Sequence, residues 1–411
     1  MNDIIEKINN LRDVKHSELA PLVRKVAVVL SSPRSGSSFI KAVLDSHPQV
    51  ASLNGEIEPF LILTRNGFGF NSDSDAIESI ANKTQLADNI LDDLSVNSDA
   101  PLQAFLLKKK WQKRLLLQYP AVFATDKGFT NLCRSLDEVL PEGGLIHTRG
   151  MELQRAILAK VFEDAPWRMH FYDGYLKSSH GRYFDEVVKI EEPPFVVPRE
   201  NRRPFNAEDA DTKTLLFKTP PDVFRMGMYE AIFPNAKIQY IHLTRGFAQV
   251  VNGLMDGWLS PNGFFSHNMK QRDEQLNIRG YSDILEFGKD WWKFDLAPNW
   301  REFKNANLED VCLYQWASAH QTILACKKHL LRISLEEFLV DPPAIAQKVT
   351  QYLGLEDIQL QSSLPIVMAT EQPKKKRWEK RKDLLLKMGE RQEVKELMTE
   401  LNYEMNPDTW I

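Results

Sequence analysis

Strand-like apolar runs alternate with amphipathic helical stretches along much of the chain. Ile4, Ile5, Ile8 and Leu11 share one side of a helix expected within residues 1–24, and a linker follows. Val26 to Leu30 crowd β-branched residues together and read as a strand. Behind it, Phe39, Ile40, Val43 and Leu44 recur at helical spacing until Pro48 ends the run. Strand, loop and helix make half of a βαβ unit. Further strands are expected at 214–218 and 238–244, with an apolar helical face between them over 222–237. Phe247, Val250, Val251 and Leu254 then give a helix, and the helical stretch 314–329 leads to a strand at 330–334. Such alternation predicts an α/β fold, a mostly parallel sheet flanked by helices. Two stretches, about 60–213 and 256–310, break the pattern. They are expected to be large, mostly helical insertions over the carboxyl ends of the strands, where α/β sheets bind ligands. The expected organisation is an N-terminal helix over 1–24 and one domain over 25–411 that carries both insertions.

Composition narrows the chemistry. The chain has 411 residues, 43% hydrophobic and 26% charged, enough for a packed core. A net charge of -4 argues against a general nucleic-acid binder, so any anion site must be local. Cys133, Cys312 and Cys326 are widely spaced and odd in number, which fits a reducing compartment rather than a disulfide or metal framework. No apolar run approaches the ~20 residues of a membrane span. The first residues mix acidic and basic side chains and lack a signal-peptide core, so a cytoplasmic location is expected.

The stretch Ser31-Ser32-Pro33-Arg34-Ser35-Gly36-Ser37-Ser38 joins the first strand to its helix. A loop in this position offers backbone N–H groups and a helix dipole to a phosphate. Gly36 allows a tight turn, Ser35, Ser37 and Ser38 add hydroxyl donors, and Arg34 can meet an anion as a planar fork. A nucleotide-dependent kinase would need a first glycine and a lysine in this loop, with a magnesium-binding aspartate after a strand, and neither is present. The alternative reading of the loop is a serine-rich helix cap.

Residues 31–56 resemble the P-loop-like segment of sulfotransferases that use 3′-phosphoadenosine 5′-phosphosulfate (PAPS), in the branch with Pro-Arg-Ser-Gly-Ser/Thr that includes bacterial and tyrosylprotein enzymes. Leu215 to Val251 are similar to the family's Lys-Ser/Asp-Pro segment, its helix and the strand ending in arginine. Leu330 to Leu355 and the basic segment around Trp378 resemble two later family segments, in family order. Neither large insertion has a counterpart in this resemblance.

The resemblance implies sulfuryl transfer from PAPS to a hydroxyl or amine of a small-molecule, sugar or lipid acceptor, without a metal. It places Arg34, Ser35, Gly36, Ser37 and Ser38 around the 5′-phosphosulfate and Phe39 near the adenine. Lys218 would meet the sulfuryl group and bridging oxygen; a lysine capping a strand is the plainer reading. Arg245 would bind the 3′ phosphate. Relatives carry a serine eight residues later, where this chain has Gly253, so Asn252 is the substitute donor considered. Lys375, Lys376 and Arg377 would bring further cations to that phosphate, whereas a solvated basic face is the alternative. Of Glu56 and Glu58, which both follow the His47-Pro48 turn, Glu56 is expected to take the acceptor's proton, with His147 and His180 as other candidates and His242 as a core residue. An inactive sulfotransferase-like binding protein remains the non-enzymatic reading, favoured by Gly253. Oligomeric state is not legible.

Overall fold

The structure is a computed structural model that describes residues 2–143, 146, 148–172, 184, 186, 188–192, 194–261, 263–358, 360 and 375–410. Its strands are β1 (Lys25–Leu30), β2 (Val50–Leu53), β3 (Leu94–Asn97), β4 (Arg202–Pro204), β5 (Thr214–Phe217), β6 (Lys237–Thr244), β7 (Phe265–Asn268), β8 (Trp291–Lys293) and β9 (Leu330–Ser334). Seven form one sheet in the order β4-β3-β2-β5-β1-β6-β9, while β7 and β8 make a separate hairpin-like pair. The pairings among β2, β5, β1, β6 and β9 are parallel. β3 and β4 extend the sheet antiparallel at one edge.

Alternation along the central strands explains why both faces are covered. Val26, Val28 and Leu30 of β1 point into the larger core, while Ala27 and Val29 point into a second one. β5 repeats the pattern with Leu215 and Phe217 on one side and Leu216 on the other. Helices Ser37–Asp45 and Pro342–Leu353 cover the second face through Ile40, Val43, Leu44, Val349 and Leu353. Helices Phe247–Trp258 and Leu308–Ala325 close the first. Each fully buried Val or Leu contributes about 1.5–3 kcal/mol, so the sheet is the rigid body to which everything else attaches.

The N-terminal helix forms over Asn2–Arg12 and buries Ile5 and Ile8. The expected single helix over 222–237 is instead a 3₁₀ turn, Pro220–Phe224, and a short helix, Met228–Ile232. Pro220, Pro221 and Gly227 punctuate that stretch. The first insertion is built from helices Lys83–Asp93, Ala104–Gln118, Asp126–Val139 and Gly150–Val161 together with β3 and β4. The second holds β7, β8 and short turns. Asp75 ties the two insertions together: His267 lies 2.8 Å from its Oδ1, and the Leu296 N–H donates to its Oδ2 at 2.6 Å. Among the described residues, no helix is long and apolar enough to cross a membrane.

Gly36 marks the junction between β1 and its helix. Its φ of 90° lies in the left-handed region, and a Cβ there would stand 2.8 Å from Leu335 Cδ2. Gly36→Ala should therefore destabilise the protein by about 1–2 kcal/mol, chiefly through the backbone conformation. Urea unfolding checks this, and an unchanged midpoint contradicts it.

Candidate active site

The sequence-predicted residues gather where the parallel strands end. Glu56 follows β2, Lys218 follows β5, the Ser31–Ser38 segment follows β1 and Arg245 follows β6. These four strands are consecutive neighbours in the sheet, so the residues line up in strand order. The chain leaves β1 towards β2 on one side and later reaches β6 on the other, which opens a crevice at this point. A cavity of about 1420 Å³ occupies it, lined by Arg34, Gly36, Ser37, Ser38, Phe39, Glu56, Lys218, Arg245, Lys375 and Arg377, among others.

Three expected residues stand elsewhere. Ser35 is fully buried, and its hydroxyl bonds Ser32 Oγ at 2.6 Å beneath the loop. Ser32 Oγ lies 3.3 Å from His320 Nε2, and His320 Nδ1 lies 2.9 Å from His242 Nε2. Burial pushes the His242 imidazole down to about 3, and His320 is also lowered, first by burial, so this support is neutral. His242 is thus a core residue, as expected, and Ser35 props the loop through its side chain. Asn252 also stays out of the cavity, because its Oδ1 accepts from Arg381 Nη1 at 2.5 Å. Lys376 turns to a small crevice beside Trp378 and Pro407. His147 and His180 lie outside the described residues.

Arg34 adopts φ 66°, a left-handed conformation that is uncommon for a residue with a side chain. Arg245 Nη1 donates to the Arg34 carbonyl at 3.1 Å, which ties the two together. Arg245 is itself fixed through its backbone, since Trp316 Nε1 donates to its carbonyl at 3.2 Å. The next residue, Gly246, donates its N–H to Glu336 Oε1 at 3.1 Å. Loss of water lowers the Arg34 guanidinium to about 10, with Arg245 and Arg377 pushing the same way and Asp256 opposing. Arg245 is lowered as well, by burial first and by Arg377, against the pull of Glu336 and Tyr403. One wall of the cavity is therefore a cluster of like charges that an anion would relieve.

In the middle of the cavity, Lys218 pairs with Glu56. The Ile57 N–H donates to Thr219 Oγ1 at 3.2 Å and fixes the two loops side by side. Glu58, two residues on, has a different fate: its Oε1 takes Arg225 Nη2 at 2.5 Å, and Arg225 also bonds Asp222. That separates the two candidate carboxylates, leaving Glu56 beside Lys218. Lys41 completes the centre, and the sequence reading passed over it. It donates to the Leu53 carbonyl at 2.7 Å, and withdrawal from water drives its ammonium down to about 8, with Lys218, Arg202 and Arg199 acting alike and Asp45 opposing. Its spacing of four from Ser37 on one helix was the signal available.

The sequence profile of the sulfotransferase family matches residues 27–293. The chain belongs to the sulfotransferase family. Solved structures similar to it are also sulfotransferases. One is the sulfotransferase domain of the curacin biosynthetic pathway, with 14% identity, 93% of this chain and 99% of that chain covered, and a TM-score of 0.38. Another is the Alicyclobacillus acidocaldarius sulfotransferase, with 12% identity, 93% and 97% covered, and a TM-score of 0.35. A third comes from Mycobacterium tuberculosis, with 8% identity, 86% and 73% covered, and a TM-score of 0.34. No curated protein sequence gives a significant match.

In this sulfotransferase the far part of the cavity is roofed by both insertions. Ile62, Phe68, Phe70, Leu153, Ile157 and Phe195 of the first insertion line it. The aromatic residues of the second insertion divide into two sets. Trp258, Phe265, Trp292 and Trp300 are fully buried core, whereas Phe264 and Trp291 line the cavity. Phe264 stacks on Phe294 at 4.7 Å and lies under the Arg34 guanidinium at 5.3 Å. Phe39 faces the cavity and also packs edge-on against Phe338 at 5.3 Å.

The depressed Lys41 gives a signed pH dependence. Between about 8 and 10.5, the unfolded chain keeps a proton at Lys41 that the folded chain has released. The unfolded state then binds more protons, so this contribution to stability rises with pH across that window. Wild type should gain stability relative to Lys41→Met from about pH 7.5 to about pH 9.5 in paired urea unfolding. A difference independent of pH contradicts the assignment.

Proposed function

We propose that the protein is a PAPS-dependent sulfotransferase that modifies a hydroxyl or amine of a small-molecule, sugar or lipid acceptor. The observation that carries this reading is the convergence of Arg34, Arg245 and Arg377 on one cavity wall, next to the first turn of the helix Ser37–Asp45. A doubly phosphorylated nucleotide suits such a wall. The first amides of a helix have no intrahelical acceptor, and Gly36, Ser37 and Ser38 line the cavity at that end. Phe39, with Leu335 and Leu339 beside it, supplies apolar surface for a purine.

When bound, the donor supplies an activated sulfuryl group on its 5′ phosphate. Arg34, Ser37 and Ser38 hold that end, while Arg245 and Arg377 take the 3′ phosphate. Lys218 stabilises the negative charge that gathers on the oxygen between phosphorus and sulfur as the S–O bond breaks. Glu56 takes the proton of the acceptor as its oxygen or nitrogen bonds to sulfur, so the proton ends on the carboxylate. The apolar far lobe excludes water and seats the acceptor. The neighbouring Lys218 and Glu56 act as a unit, one on the leaving side and one on the attacking side.

Two outcomes follow. Adenosine 3′,5′-bisphosphate, the spent donor, should raise the melting temperature, and ATP with magnesium should not. Equal shifts from both would sink the donor assignment. Lys218→Ala should lower kcat by about 10²–10³ while leaving the fold and bisphosphate affinity intact. A variant with unchanged kcat and weaker bisphosphate affinity alone contradicts the role given to Lys218.

A further inference from the structure

Asp256 lies on the helix Phe247–Trp258 with only 9% of its side chain exposed. Its carboxylate gathers three cations from the C-terminal basic segment. Arg377 Nη2 donates to Oδ2 at 3.0 Å, Lys380 Nζ to Oδ2 at 2.8 Å and Arg381 Nη1 to Oδ1 at 2.8 Å. Arg381 Nη1 also reaches Asn252 Oδ1, one helical turn before Asp256. Of the three cations, only Arg377 lines the cavity. Trp378 locks the segment from below, buried against Trp410 with its Nε1 donating to the Trp410 carbonyl at 3.1 Å.

Gly253 sits between these two anchors. A Cβ at Gly253 would stand 3.4 Å from Arg34 Cβ and 3.6 Å from Arg34 Nε. The bare helix surface there is the floor on which Arg34 lies. Asn252, Gly253 and Asp256 thus face these cations along one helix: Asn252 grips Arg381, Gly253 lies under Arg34, and Asp256 grips Arg377.

We propose that Asp256 is a positioning residue that fixes the segment 375–381 so that Arg377 stands beside Arg34 and Arg245 and joins them in selecting a nucleotide with a second phosphate. The proposal rests on the donor reading above. A guanidinium carries five donors, so one held by a carboxylate can also meet a phosphate. Without the anchor, Arg377 would be repelled by the two arginines it faces and by the cations on its own segment. Lys380 and Arg381 offset the charge of Asp256, so the anchor does not cancel the positive wall.

The test is calorimetric titration with adenosine 3′,5′-bisphosphate and with adenosine 5′-phosphate. Wild type should prefer the bisphosphate. Asp256→Asn should lose about tenfold of that preference while binding of the 5′-phosphate changes by less than about twofold. General loosening of the fold would weaken both nucleotides alike. An undiminished preference in folded Asp256→Asn overturns the proposal, as does an equal loss for both nucleotides. If Asp256→Asn does not fold, Arg381→Met takes its place, since it removes one of the segment's three ties to Asp256 and its tie to Asn252 while Arg377 and Lys380 still neutralise the carboxylate. Its expected effect is a loss of about threefold in the preference, and no loss overturns the anchor. A wild-type protein indifferent to the second phosphate overturns the donor reading itself, and the anchor with it.

Discussion

Like charges held close together, away from water, are the constraint on which this site turns. Arg34, Arg245 and Arg377 repel one another, and burial costs Arg34 and Arg245 hydration. They stay together because the surrounding structure leaves them little choice. Arg34 is committed to a left-handed backbone that Arg245 stitches in place, Arg245 is pinned through Trp316 and Glu336, and Arg377 is moored to Asp256. Strain of this kind persists only where packing over-determines it. Here the packing comes from two buried faces of a parallel sheet and from the Trp378–Trp410 contact at the C-terminal end.

The neutral histidines under the loop belong to the same design. A charged imidazole at His320 would add a fourth cation below Arg34, and burial keeps it uncharged. The Ser35–Ser32–His320–His242 chain is therefore a prop that adds no charge. Lys218 and Glu56 solve the opposite problem. Each is the other's counter-ion until a ligand arrives, so neither is left unpaired in the middle of the cavity.

Much of this was legible in the sequence where local patterning and chemistry agree. The strands at β1 and β5 carry continuous β-branched or apolar runs and β6 and β9 are rich in such residues, and Arg34, Lys218 and Arg245 fall just beyond these strands. β2, β3 and β4 were not foreseen, because strands of three or four residues such as Val50–Leu53 have too few positions to show a period. Ser35 was misplaced because sequence gives no sign of which serines turn inward. Asn252 and Lys376 were expected on the phosphate because linear spacing cannot reveal that Arg381 takes the Asn252 side chain or that Lys376 turns to the crevice beside Trp378. Lys41, Asp256 and the Asp75–His267 tie are ordinary charged residues in sequence, made significant by contacts across more than a hundred positions or by burial alone.

The order of the strands has a consequence for how such a protein can change. Glu56, Lys218, Arg34 and Arg245 each sit at the end of a different strand, and those strands are adjacent. Neighbouring strands are about 4.8 Å apart, so three steps across the sheet make a ruler of about 14 Å whose marks are backbone hydrogen bonds. Neither insertion supplies a mark on that ruler. The lobe walled by Ile157 and Phe195 carries none of these four charges, whereas Phe264 touches one of them through Arg34. The charged end of the cavity is thus fixed by the sheet, while most of its apolar lining comes from the insertions.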